Sequence, residues 1–180
     1  TPSPAAFGAV DDTGATTAAT AALGARLAGL GIDLTLAPVA DVNSNPRNPV
    51  IGVRSFGDSP ELVARHVAAA VTGFHAGGVG ACAKHFPGHG ATREDSHLAL
   101  PPVDVPLEIL RERELVPFRA AIDAGVRCVM TAHIRIPALT GELPATLSSA
   151  ALGEVLRGEL GFDGVLVTDA LDMHAASGRA

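Results

Sequence analysis

Four apolar runs constrain this chain more than any other feature: IDLTLAPV (32–39), GVGACAKH (78–85), VRCVMTAH (126–133) and GVLVTDAL (164–171). Within each run the apolar residues are continuous instead of alternating, which predicts strands buried on both faces. Each run follows a segment with helical spacing, over 13–29, 60–76, 107–124 and 148–160, as Leu62, Val63, Val67, Val71 and Phe74 illustrate. DSPEL supplies Asp58 or Ser59 as an N-cap, Pro60 for the first turn and Glu61 near the positive helix end. Gly31, Gly77, Gly125 and Gly161 each stand between a helix and the next strand, where a left-handed C-cap is easiest without a Cβ. A unit of helix, glycine and buried strand therefore occurs four times, with enough chain between strands for helical crossovers in a parallel sheet.

The loops are lopsided. ADVNSNPRNPVIGVRSFGD follows the first run, FPGHGATREDSHLALPPVDVP the second and IRIPALTGELPATL the third, whereas the helix-to-strand turns are short. A (β/α)8 barrel carries its functional loops at the C-terminal ends of its strands, and open doubly wound sheets show the same bias. These residues alone give a parallel α/β fold and leave closure of the sheet open. A length of 180 residues without a low-complexity linker predicts one domain, 1–180, able to bury a core.

Composition narrows the partners. A net charge of -6 without any Lys/Arg cluster argues against nucleic acid. No apolar run reaches the roughly 20 residues that cross a bilayer, so no membrane segment is expected. The opening TPSPAAFGAV lacks the basic start and apolar centre of a signal peptide and does not look like a natural start; the compartment stays open between cytoplasm and export. Cys82 and Cys128 lie in VGACAKH and VRCVMTAH and are expected as reduced core residues, a reactive thiol beside His85 or His133 being the lesser reading.

Chemistry concentrates in KHFPGHGATREDSH (84–97). His85 and His89 have the spacing of a helical zinc pair, but Pro87, Gly88 and Gly90 forbid the helix that would align them. The stretch lacks the glycine pattern of a phosphate loop, and Ser96 lacks a nucleophile elbow. Asp95 and His97, two residues apart, project to one side of an extended segment, so the carboxylate can fix the imidazole tautomer for acid/base work. A solvated loop carboxylate beside a surface histidine fits that spacing equally well. Asp169 directly follows GVLVT, the strand-end position where α/β enzymes keep catalytic groups, although an N-cap role is its plain alternative. Arg54, Lys84 and His85 also lie at or just past strand ends, as donors for substrate hydroxyls or as surface salt-bridge partners.

Taken together, KHFPGHG with DSH, APVADVNSNPRNPVIGVRSFG and VTDALDM resemble the β-N-acetylglucosaminidase branch of glycoside hydrolase family three, over essentially the whole chain. The resemblance implies a (β/α)8 TIM-barrel domain with Asp169 as nucleophile and His97, paired with Asp95, as general acid/base. It implies Arg54, Lys84 and His85 as sugar-binding residues and no metal or organic cofactor. The implied substrate is a small carbohydrate with terminal β-linked GlcNAc, such as a peptidoglycan fragment in cell-wall recycling. A phosphorylase using the same dyad, and a noncatalytic sugar-binding remnant, are the alternatives. The absence of Trp and Tyr means that sugar recognition would rest on hydrogen bonds and charge. Against the family pattern, an Asp-Gln-Glu-Gly-Gly-type segment is missing before Thr1 and about four βα units are present. The chain is therefore expected to be the central part of a longer catalytic domain, truncated at both ends, since four strands cannot close an eight-stranded barrel.

Overall fold

The computed structural model describes residues 1–93 and 100–173. Its helices are α1 (Pro4–Val10), α2 (Thr13–Ala28), α3 (Pro60–Ala76), α4 (Leu107–Ile109), α5 (Val116–Asp123) and α6 (Pro137–Thr140), with π-helical segments at Leu110–Glu114 and Ala150–Glu159. The strands β1 (Leu34–Thr35), β2 (Gly80–Phe86), β3 (Cys128–Thr131) and β4 (Val165–Thr168) form one parallel sheet in the order β1-β2-β3-β4. A doubly wound sheet reverses its strand order at a switch point. Here the order runs straight through, as in a segment of a (β/α)8 barrel.

The expected helix signals operate. Ser59 caps α3 by accepting a hydrogen bond from Leu62 N, with Pro60 and Glu61 in the first turn. The apolar face of α3, Val63, Val67, Ala70, Val71 and Phe74, meets Ala81, Ala83 and Val129 of the sheet. Phe86 packs edge-on against Phe118 of α5 with ring centroids 5.3 Å apart. On the opposite face Cys82, Cys128 and Met130 form a small cluster against Val167. Both cysteines are free and buried, and burial pushes the Cys82 thiol well above its ordinary value.

Several boundaries differ from the sequence expectation for identifiable reasons. The run 32–39 yields only a short β1, because Pro38 has no N–H for the ladder; beyond Thr35 the contact with β2 continues through Cys82 N to Ala37 O, Lys84 N to Pro38 O and the Val39–Lys84 bridge. Strand β4 is not buried on both faces, and Val165 is 60% exposed, because β4 is an outer strand of the described sheet. Gly78, φ 85°, takes the left-handed position after α3 in place of Gly77, whose Cα lies against α2 where a Cβ would meet Ala21 O. The helix predicted over 107–124 widens at 110–114: Leu115 N bonds Leu110 O at 3.0 Å, and Pro117 cannot donate to the following turn. Helix α1 was not anticipated, although Ser3 and Pro4 make an N-cap and first-turn pair.

Candidate active site

The strand ends converge on a buried carboxylate, Asp41, in the loop after β1. It has no exposed surface. Oδ1 accepts from the backbone N–H of His85 at 3.1 Å and of His89 at 2.7 Å, and Oδ2 accepts from His85 Nδ1 at 2.7 Å. Burial alone would raise this acid, but the attraction and hydrogen bond of His85, with His89 adding to them, outweigh burial and hold it below its ordinary value. The Nδ1–H of His85 is thereby committed to Asp41, which leaves Nε2 as an acceptor. Arg54 Nη2 approaches that nitrogen at 3.5 Å while Nη1 donates to Val50 O at 3.2 Å. A relay from Asp41 through His85 to Arg54 thus aims a guanidinium from the loop after β1 across the end of β2. The Lys84–His85 peptide bond in this relay is cis.

Lys84 stands one step earlier on β2, opposite Met130. Burial lowers its amine and the Arg54 charge adds to that, while Asp169 and Asp41 pull the other way. Asp169 leaves β4 with its backbone N–H donating to Thr131 O at 3.1 Å, and its Oδ1 accepts from Ala170 N at 2.9 Å. Its charge acts on His89 as well as on Lys84, so the Asp169 carboxylate shares one end of the sheet with both. The sequence-predicted residues Arg54, Lys84, His85 and Asp169 are therefore brought together. Asp95 and His97 lie outside the described residues. The chain that carries them departs from His89–Arg93 and returns at Pro101, where Arg135 N donates to Pro101 O at 3.0 Å and Val103 N to Arg135 O at 2.7 Å. Both limbs rest on the same end of the sheet as Asp169. A cavity of about 280 Å³, walled by α2, α3 and residues 36–39, opens onto Arg54 and Lys84.

A half-buried carboxylate at a strand end, sharing that end of the sheet with the Lys84 amine, can serve chemically as a nucleophile or as an ion-pair partner. The model of the glycosyl hydrolase family 3 N-terminal domain matches residues 1–180. The chain belongs to glycosyl hydrolase family 3. It is 47% identical over 168 residues to Beta-hexosaminidase A of Pseudoalteromonas piscicida, covering 87% of this chain and 28% of that protein. Among solved structures, a family 3 β-N-acetylglucosaminidase from Paenibacillus sp. str. FPU-7 superposes with TM-score 0.94 at 54% identity, over 96% of this chain and 33% of that one. The β-glucoside phosphorylase BglX superposes with TM-score 0.94 at 29% identity, over 98% and 34%. The chain thus corresponds to about a third of the length of these relatives.

Within this family 3 domain several supporting residues escaped the sequence reading. Asp41 is one, although LAPVAD puts a carboxylate just past an apolar run as VLVTD does. Asn48 is another: Oδ1 accepts from Val50 N and Ile51 N, both at 2.8 Å, and Nδ2 donates to His89 O at 2.8 Å and Gly90 O at 3.1 Å, stitching two strand-end loops together. The ring of His89 lies edge-on to that of His85, with Nδ1 2.9 Å from Thr92 Oγ1; burial lowers its basicity, against the pull of Asp41. His133 Nε2 donates to Ala170 O at 3.1 Å, and Nδ1 lies 2.8 Å from Thr146 Oγ1, which steadies the chain just past Asp169. Close approach also dictates Gly90, where a Cβ would overlap the Val42 carbonyl. Gly90→Ala is expected to lower stability by about 3 kcal/mol, read as a reduced midpoint in urea unfolding.

Proposed function

We propose that residues 1–180 are part of a single (β/α)8 catalytic domain of a retaining exo-β-N-acetylglucosaminidase. Asp169 attacks the anomeric carbon of a terminal β-linked GlcNAc unit, and the bond to the leaving oxygen breaks as His97 donates a proton to that oxygen. The covalent glycosyl-enzyme is then attacked by water, whose proton returns to His97, and Asp169 is released. Two inversions give net retention. Asp95 stabilises the imidazolium form of His97, so that the acid/base works without adding a third full negative charge near Asp169. Arg54 and Lys84 hold the ring hydroxyls, with His85 fixing Arg54 and completing that set. Peptidoglycan fragments carrying GlcNAc are the substrates that suit this reading.

One observation carries the reading: Asp169 leaves the end of β4 with its N–H on Thr131 O, at the end of the sheet that also holds Lys84 and the Arg54–His85–Asp41 relay. The names of the β-hexosaminidase and β-N-acetylglucosaminidase relatives support the same substrate class. Replacement of His97 by Ala in the full-length protein tests the dyad. The variant is expected to lose about 10²–10⁴-fold in kcat/KM on an alkyl glycoside and less than about tenfold on a nitrophenyl glycoside, whose phenolate leaves unaided. Equal losses on both substrates would remove His97 from the acid/base role.

The similarity to a β-glucoside phosphorylase gives a second reading, in which phosphate replaces water as acceptor and meets less repulsion from an imidazole than from a carboxylate. Assay in phosphate decides between them: sugar 1-phosphate marks a phosphorylase, and free sugar marks a hydrolase.

A further inference from the structure

Glu114 plays no part in the strand-end cluster, yet it is fully buried at the close of the π-helical segment Leu110–Glu114. Its Oε1 accepts from Arg113 Nε at 2.7 Å, and Oε2 has no hydrogen-bond partner among the described residues. Above it lies Gly88, between His85 and His89. A Cβ on Gly88 would come within 2.8 Å of Glu114 Cβ and 2.9 Å of Oε2, and Gly88 has φ +128°. The turn that opens the acid/base loop therefore lies flat on the Glu114 side chain, and only glycine permits both the contact and the backbone angle. Arg113, the other half of the pair, faces a cavity of about 560 Å³ bordered by Arg93 on the outgoing limb of that loop and by Pro101, Val103 and Asp104 on the returning limb.

We propose that Glu114, with Arg113, is a positioning residue that clamps both limbs of the loop bearing Asp95 and His97, a role that rests on the acid/base function proposed for His97. The π-helical turn is what makes the clamp, because widening the helix by one residue alters the face on which position 114 is presented. An unpartnered buried oxygen is a cost that a purely structural glutamate has no reason to carry. The charged groups acting on Glu114 are Arg113 on its own element and Asp41 from the loop after β1, and the Gly88 turn that it touches lies between His85 and His89. Burial raises the Glu114 acid to about 7, with Arg113 lowering it and Asp41 raising it further, so its charge changes near neutral pH, in contact with the turn it supports.

Glu114→Gln keeps the shape and removes the charge. In the full-length protein this variant is expected to lose about tenfold in kcat/KM on an alkyl glycoside and less than about threefold on a nitrophenyl glycoside. Its melting temperature at pH 8 should be no lower than that of the parent. Amide hydrogen exchange over 86–93 and 101–105 should accelerate about tenfold while β2 and β3 are unchanged. Arg113→Gln, at a partly exposed position, withdraws the donor to Oε1 while leaving the carboxyl itself in place, and should reproduce the same pattern. Equal losses on the two glycosides, or unchanged exchange in both limbs, would overturn the proposal. Should the parent hydrolyse neither glycoside, the proposed function falls, and the exchange comparison still decides whether Glu114 clamps the loop.

Discussion

Asp169→Ala is expected to reduce kcat/KM for aryl N-acetylglucosaminides by about 10⁴-fold or more, the largest loss of activity for any single replacement in this domain. The removed group would form the glycosyl-enzyme bond itself, and Asp41 cannot take its place, being buried and holding three donors. The cavity left by the truncation admits a small external nucleophile. Added azide should restore turnover of the nitrophenyl substrate by bonding to the anomeric carbon from the face that Asp169 would use, while nitrophenolate leaves with the electron pair. The product is the inverted α-glycosyl azide, which proton NMR identifies by its anomeric coupling. Asp172→Asn, at an exposed position nearby, should change kcat/KM by less than about twofold. A retained rate in Asp169→Ala, or rescue that gives the β-azide, would remove Asp169 from the nucleophile role.

The residues differ in how openly the sequence announces them. Helix α3 is legible because its signals are local: a serine cap, a proline in the first turn and apolar spacing of three and four. Asp169 is legible because the end of an apolar run marks a place in the fold as well as a residue type. The exposure of Val165 was not, since apolarity shows that a side chain can be buried and says nothing of what covers it. Pairings across tens of residues, such as Asn48 with His89 and Gly90, leave no periodic trace at all. Glu114 is the extreme case. LRERELVPF looks like a charged helix face, and only the π-helical turn, set by Pro117 two residues into the next helix, together with the approach of Gly88, puts that carboxyl in the interior. What stays hidden in both Asp41 and Glu114 is the same physical quantity, the desolvation of a charge, which depends on every element packed around it.

Asp41→Ala is expected to have the largest effect on stability, about 3–5 kcal/mol, because it leaves the buried donors of His85 and His89 without an acceptor. The loss should reach activity too. With Nδ1 of His85 released, the ring no longer presents a fixed acceptor to Arg54, and kcat/KM should fall by about 10²-fold even at temperatures where the variant remains folded. Asp41→Asn separates charge from shape, since it retains an acceptor oxygen for the backbone N–H groups while losing the carboxylate charge. pH supplies an independent check. The folded-state acid lies below its ordinary value of 3.8, so near that pH the unfolded chain binds more protons and stability rises with pH. The Asp41 contribution is complete above the ordinary value and is lost as pH falls through the lowered one. Urea unfolding followed from pH 6 to pH 3 should therefore show a steeper acid decline in the parent than in Asp41→Asn, with the two curves converging at the acid end. Parallel curves would mean that Asp41 carries no net charge in the fold, and the relay to Arg54 would then need a different source of order.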